Sequence, residues 1–184
     1  EKHEDAFDNY EKEYYMQMKA TGQPYVYEPY IYNLMGKDIM MISIIAPIWD
    51  ADGVFLGVGG VDMALADMQN MRYASTGYRS THMVALAEDG TVLVDSFDTS
   101  TVGKIASEVG YGIIEEHGEK IRSMPEGEHE NSLSIIDRKS KNFATNKRGI
   151  SVTIPLKISG GNQWTLYMAI NRSEFYSIII EGLG

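Results

Sequence analysis

Few side chains in this sequence are placed to do chemistry, and the most suggestive is a carboxylate. Asp62 stands where an apolar run closes as Gly59-Gly60-Val61-Asp62. A strand held in a rigid sheet fixes its terminal side chain with little freedom left to lose, which suits it to holding a polar ligand. Asp50, Asp52 and Gly53 open like a calcium loop, but the third acidic position and the distal bidentate Glu of such loops are missing. The four histidines, His3, His82, His117 and His129, show no H-x-x-x-H spacing. That argues against a zinc hydrolase, and they read as surface or loop residues. Cysteine is absent, so a disulfide framework and a thiol nucleophile are excluded. No G-x-S-x-G elbow, phosphate-binding glycine loop or Rossmann fingerprint occurs either. The sequence thus supports no catalytic group and no metal site, and it requires no cofactor.

Composition narrows the partners. The 184 residues are 43% hydrophobic, enough for one large lobe or two small ones. A net charge of −10 argues against nucleic acid, whose phosphate backbone is bound through clustered Lys and Arg. No apolar run reaches the roughly 18 residues of a membrane span, and no charged-then-apolar leader is present.

The elements that must position Asp62 are legible. Residues 39–48 form a β-branched and Met-rich strand, residues 54–61 its Val- and Gly-rich partner, and Asp50 to Gly53 the turn between them. A helix over 6–20 precedes them, stopped by Thr21-Gly22 with Pro24 beyond, and a short helix over 64–72 follows. A second hairpin pairs 81–87 with 91–95; a helix is expected over 104–117 and a loop over 122–130. Strands at 132–136, 151–158 and 163–170 bring the second half to five, and Ser173 reads as the N-cap of a closing helix over 173–180. Asp95 and Asp137 close strands of this half, but the sequence shows no aromatic helix facing them.

Glu28-Pro29-Tyr30, Gly36-Lys37-Asp38, Ala46-Pro47-Ile48, Gly53 to Val58 and Gly60-Val61-Asp62 together resemble the membrane-distal lobe of a double Cache domain. Such domains, also called double PDC or tandem PAS-like sensors, are extracytoplasmic parts of prokaryotic chemoreceptors and sensor histidine kinases. Residues 77–103, with Ala87 to Val92 and Val102-Gly103-Lys104, resemble the opening of the membrane-proximal lobe. The resemblance implies an α+β fold of two PAS-like (Cache) lobes, each a central antiparallel sheet flanked by helices. It divides the chain into residues 1–72, a distal lobe lacking its N-terminal part, and 73–184, the proximal lobe. It also implies an extracytoplasmic, periplasmic or extracellular, ligand-sensing domain. Helices outside this sequence would tether it to the membrane, and homodimers are compatible with it.

The same resemblance implies a ligand site in the distal lobe. Lys12 falls where amino-acid-binding members carry a basic residue, and Tyr14 and Tyr15 where they carry a Trp-aromatic pair. Tyr30 falls on a pocket Tyr, and Asp62 on an Asp that accepts from a ligand ammonium. Tyr14 in place of Trp, and Tyr32 where many members have an acid, depart from the pattern. The expected ligand is a small polar metabolite: an amino acid, amine or carboxylate. The alternatives are plainer: a buried stripe of Tyr10, Tyr14, Tyr15 and Met18, Asp62 as a helix cap, and Lys12 as a solvated charge. In that case the lobe is a ligand-free structural or protein-docking ectodomain.

Overall fold

The computed structural model describes residues 12–69, 78–124, 134–158 and 161–181. The N-terminal part of the expected first helix, most of the 122–130 loop and the expected division at 72/73 lie outside them.

Two separate antiparallel sheets organise the chain. The first contains β1 (Tyr25–Val26), β2 (Tyr30–Leu34), β3 (Lys37–Trp49) and β4 (Phe55–Ala64), with β3 central between β4 on one side and β1 and β2 on the other. The expected β3–β4 hairpin is present, its turn held by Asp50 Oδ1 accepting from the N–H groups of Asp52 and Val54. Helix α1 (Glu13–Thr21) packs on β3 and β4. It ends at Gly22, whose left-handed φ of 67° lets its N–H reach the Met18 carbonyl. The short α2 (Leu65–Gln69) then follows β4 without a loop.

Period-two alternation divides the first sheet into two working faces. Ile42 of β3 turns one way, into a core shared with Leu65 and with Ala87, Leu93, Val94 and Trp164 of the second half. Ser43 and Ile45 turn the other way. The seam between halves also carries directed bonds: Trp164 Nε1 and the Glu88 N–H donate to Glu28, and Asn162 Nδ2 to the Val26 carbonyl.

The second sheet comprises β5 (His82–Leu86), β6 (Val92–Asp95), β7 (Ile135–Asp137), β8 (Lys141–Asn142), β9 (Lys147–Lys157) and β10 (Gln163–Asn171), in the order β6-β5-β10-β9-β7 with β8 on β9. It therefore has six strands rather than the five expected. The expected helix over 104–117 is interrupted at Gly110, in the left-handed region at φ 86°, into a 3-10 turn (Ala106–Val109) and α3 (Gly112–Arg122). Helix α3 buries Ile114, Gly118 and Ile121 on one face, at spacings of four and three. Helix α4 (Arg172–Glu181) continues directly from β10, so Ser173 sits inside its first turn and is not an N-cap. Glu174 instead ties that turn to the segment before β5, accepting from the N–H groups of Arg79 and Ser80 at 2.6 and 2.9 Å.

Gly118 gives a test of this packing. A Cβ there would lie 2.5 Å from Thr165 Oγ1 on β10. Alanine gains about 1 kcal/mol of helix propensity, but forced overpacking costs about 1–3 kcal/mol. Gly118→Ala is expected to lower stability in chemical denaturation; a gain would mean that α3 stands further from the sheet.

The histidine expectation is corrected for two residues. His82 is fully buried and His117 half-buried. His82 Nε2 lies 2.9 Å from Asp95 Oδ1, and Asp95 also takes the Tyr111 and Thr101 hydroxyls and the N–H groups of Phe97 and Asp98. An aromatic side chain therefore does face Asp95: Tyr111, immediately before α3. The pair was hidden in the sequence because cross-strand register, with Val84 opposite Asp95, brings His82 within diagonal reach.

Candidate functional site

The face of the first sheet opposite the shared core carries an open cavity of about 740 Å³ lined by Lys12, Tyr14, Tyr27, Tyr30, Tyr32, Ser43, Ile45, Val58, Gly60 and Asp62. Strand register explains the floor. Ser43 pairs with Asp62 and Ile45 with Gly60 across the β3–β4 ladder, while Tyr30 and Tyr32 pair with Met41 and Ile39 across β2–β3. All these side chains share one face of the pleat. At Gly60 a Cβ would lie 2.9 Å from the Ile44 carbonyl oxygen, so this part of the floor has no room for a side chain without backbone movement.

Three polar groups form a chain at one end. Ser43, only 6% exposed, donates to Asp62 Oδ1 at 2.6 Å. A serine has one hydroxyl proton, so the Tyr30 phenol, 2.6 Å from Ser43 Oγ, is the donor there. The order Tyr30 to Ser43 to Asp62 holds the exposed carboxylate in place and leaves the phenol oxygen as an acceptor. This corner therefore presents negative charge and a lone pair to a cationic or hydrogen-bond-donating group.

The wall is aromatic. Tyr27 stands edge-on to Tyr14 and Tyr30, with ring centroids 6.2 and 6.5 Å apart. Burial pushes the Tyr14 phenol above its ordinary value, so it is a neutral hydrogen-bonding group at neutral pH. Lys12, exposed at the residue before α1, contributes the only ammonium among the lining residues. Opposite charges thus border one aromatic-walled space.

Of the six residues singled out in the sequence, Lys12, Tyr14, Tyr30, Tyr32 and Asp62 line this cavity. Tyr15 does not; its ring packs edge-on against Phe55 at 5.4 Å. Asp62 lies inside β4 rather than at its end and is engaged by Ser43, so it does not cap α2. Sequence reasoning passed over Tyr27 and Ser43. Ser43 had left a signal, being the one polar residue in the apolar run 39–48.

Residues 1–70 match the family model described as methyl-accepting chemotaxis protein-like, first PDC sensor domain. The fold is that of the PDC, or Cache, sensor domains. A methyl-accepting chemotaxis protein is 18% identical over 89% of this chain and 56% of its own, with a TM-score of 0.58. The extracellular domain of a candidate histidine kinase is 21% identical over 95% and 59%, with a TM-score of 0.57. The ligand-binding domain of the Pseudomonas aeruginosa amino acid chemoreceptor PctC, in complex with GABA, is 15% identical over 93% and 65%, with a TM-score of 0.56. The chain spans less than two thirds of these PDC structures. No curated protein sequence matches it significantly.

Proposed function

We propose that this chain is the extracytoplasmic ligand-sensing part of a transmembrane receptor, either a chemoreceptor or a sensor histidine kinase. Its ligand is a small zwitterionic or cationic metabolite, an amino acid or amine, bound in the first-sheet cavity. The observation that carries this reading is the Tyr30–Ser43–Asp62 chain, which fixes an exposed carboxylate on the floor of an aromatic-walled cavity. A lobe built only for support gains more by filling such a space with apolar side chains than by keeping a carboxylate there. Asp62 and the Tyr30 oxygen receive the ammonium, Lys12 meets a carboxylate as a point charge, and Tyr14 and Tyr27 enclose the carbon chain. Proteins sharing the PDC fold support the class: PctC holds GABA, and the Pseudomonas aeruginosa chemoreceptor PctB holds L-Gln.

No helix among the described residues is long and apolar enough to cross a membrane, and the tether belongs to flanking segments. Sensing is then a matter of differential affinity: a ligand shifts the receptor between states by no more than its preference for one of them. The test is a thermal-shift screen against amino acids, amines and small carboxylates. At a concentration about 100 times its Kd a true ligand adds about 2.7 kcal/mol, a readily measured rise in Tm. Amino acids or amines are expected among the hits; hits confined to compounds without a cationic nitrogen would overturn the assignment of Asp62.

A further inference from the structure

The second sheet has two ends with different surroundings. At one end Trp164, near the start of β10, meets the first half through Glu28. At the other, Asn171 closes β10 opposite Gly149 of β9, and α4 leaves the sheet without a loop. This second end carries the densest positive charge of the chain. Residues 138–148 hold five basic side chains, Arg138, Lys139, Lys141, Lys147 and Arg148, and no acidic one, in a chain whose net charge is −10. All five are exposed, and none is ion-paired with a described residue. The hairpin of β8 and β9 is nevertheless firmly placed beside the exit of α4. The Gly149 N–H donates to the Ser140 carbonyl at 2.7 Å, Asn142 Nδ2 to the Ser80 carbonyl at 2.7 Å, and Thr145 Oγ1 to Asn171 Oδ1 at 2.5 Å.

Register sharpens the charge. Lys141 lies directly opposite Arg148, and like charges facing each other across a strand pair destabilise it. The neighbouring acids are turned to backbone donors: Asp137 Oδ1 accepts from the Lys139 N–H, and Glu174 from the N–H groups of Arg79 and Ser80. An anionic partner outside the chain would relieve the repulsion. A second feature stands beside the hairpin on α4, which packs on β9. Arg172 lies 5.5 Å from the centroid of the Tyr176 ring, and that ring is 43% exposed. A phenol among basic side chains suits a headgroup layer, where its apolar body sits inward and its hydroxyl stays wet.

We propose that this end of the second sheet docks on an anionic lipid surface, with the basic side chains of residues 138–148 meeting headgroup phosphates and Tyr176 entering the headgroup layer. The inference rests on the reading of the chain as a tethered ectodomain, which supplies the membrane. A tether raises the effective concentration of the surface, so a weak attraction suffices to hold the half next to α4 in one orientation.

The test is co-sedimentation of the whole chain with vesicles of phosphatidylcholine alone and of phosphatidylcholine and phosphatidylglycerol in equal parts. Binding is expected only with phosphatidylglycerol, and less at physiological than at low salt. The double variant Lys147→Glu, Arg148→Glu should bind at least about twenty-five-fold more weakly, at about five-fold for each basic residue at a charged surface. Arg148→Glu sets an opposite charge across from Lys141, so this variant should keep or raise the parent's Tm, which separates lost docking from lost folding. Lys19→Glu with Lys37→Glu, exposed in the first half, changes the net charge equally and should bind as the parent does. The proposal is overturned by absence of binding at low salt, by equal binding to both vesicles, or by equal loss in the two double variants. Displacement by inorganic phosphate at matched ionic strength overturns it too, because that would mark a site for the free ion. Hits in the thermal-shift screen without vesicle binding would remove this inference alone, whereas vesicle binding without hits would remove only the ligand assignment.

Discussion

Replacing Asp95 with alanine is expected to remove about 3–5 kcal/mol of stability, as loss of one partner from a buried polar cluster does. Five donors converge on this fully buried carboxylate: His82, Tyr111, Thr101 and two backbone N–H groups. Alanine would leave four of them without an acceptor, while Thr101 Oγ1 keeps the Asp98 carbonyl oxygen at 2.8 Å. Burial by itself would raise the Asp95 carboxyl; the bonds from His82, Tyr111, Asp98 and Phe97 outweigh it and hold the acid well below the usual carboxylate range. The folded value is therefore lower than the unfolded one. The contribution is complete above the unfolded pKa of about 4 and is lost as pH falls from there through the folded value. Chemical denaturation at pH 7 should show the large loss in Asp95→Ala and a smaller one in Asp95→Asn, which keeps an acceptor. Below about pH 4 the gap between parent and Asp95→Asn should narrow. A loss under about 1 kcal/mol in the alanine variant would mean that the cluster is not buried and ionised as described.

The second large effect is on binding. Asp62→Ala should weaken an amino acid or amine ligand by about 1.5–3 kcal/mol, or about ten- to 150-fold, the worth of a hydrogen bond to a charged group. The unliganded protein should lose only about 0.5–1.5 kcal/mol, because Asp62 is exposed and surrenders a single bond from Ser43. Asp62→Asn separates charge from shape: the amide keeps one acceptor for Ser43 but not the negative charge that an ammonium seeks. Calorimetry with a ligand from the screen should show both variants impaired. Unchanged affinity in both would remove Asp62 from the site.

Much of the architecture around Asp62 could be read in advance because it rests on local chemistry. The apolar runs of β3 and β4 and the Asp50 to Gly53 turn specify a hairpin, and pairing in register puts Ser43 opposite Asp62. What escaped was either short or non-local. The β2–β3 turn puts both Met35 and Gly36 at positive φ, 52° and 81°, and methionine is an unusual residue there. β1 is two residues long and gives no periodicity to detect. The burial of His82 depends on a register between β5 and β6 and on Tyr111 arriving from outside the sheet. Tyr27 joins the cavity wall only because its N–H bonds the Ser43 carbonyl and holds the segment after β1 against β3.

The most direct test of the central claim is a crystal structure of the chain with a ligand from the screen. The ammonium should lie within hydrogen-bonding distance of Asp62 and Tyr30, with the remainder of the molecule between Tyr14, Tyr27 and Lys12. A first-sheet cavity left empty while that ligand occupies another part of the molecule would contradict the account.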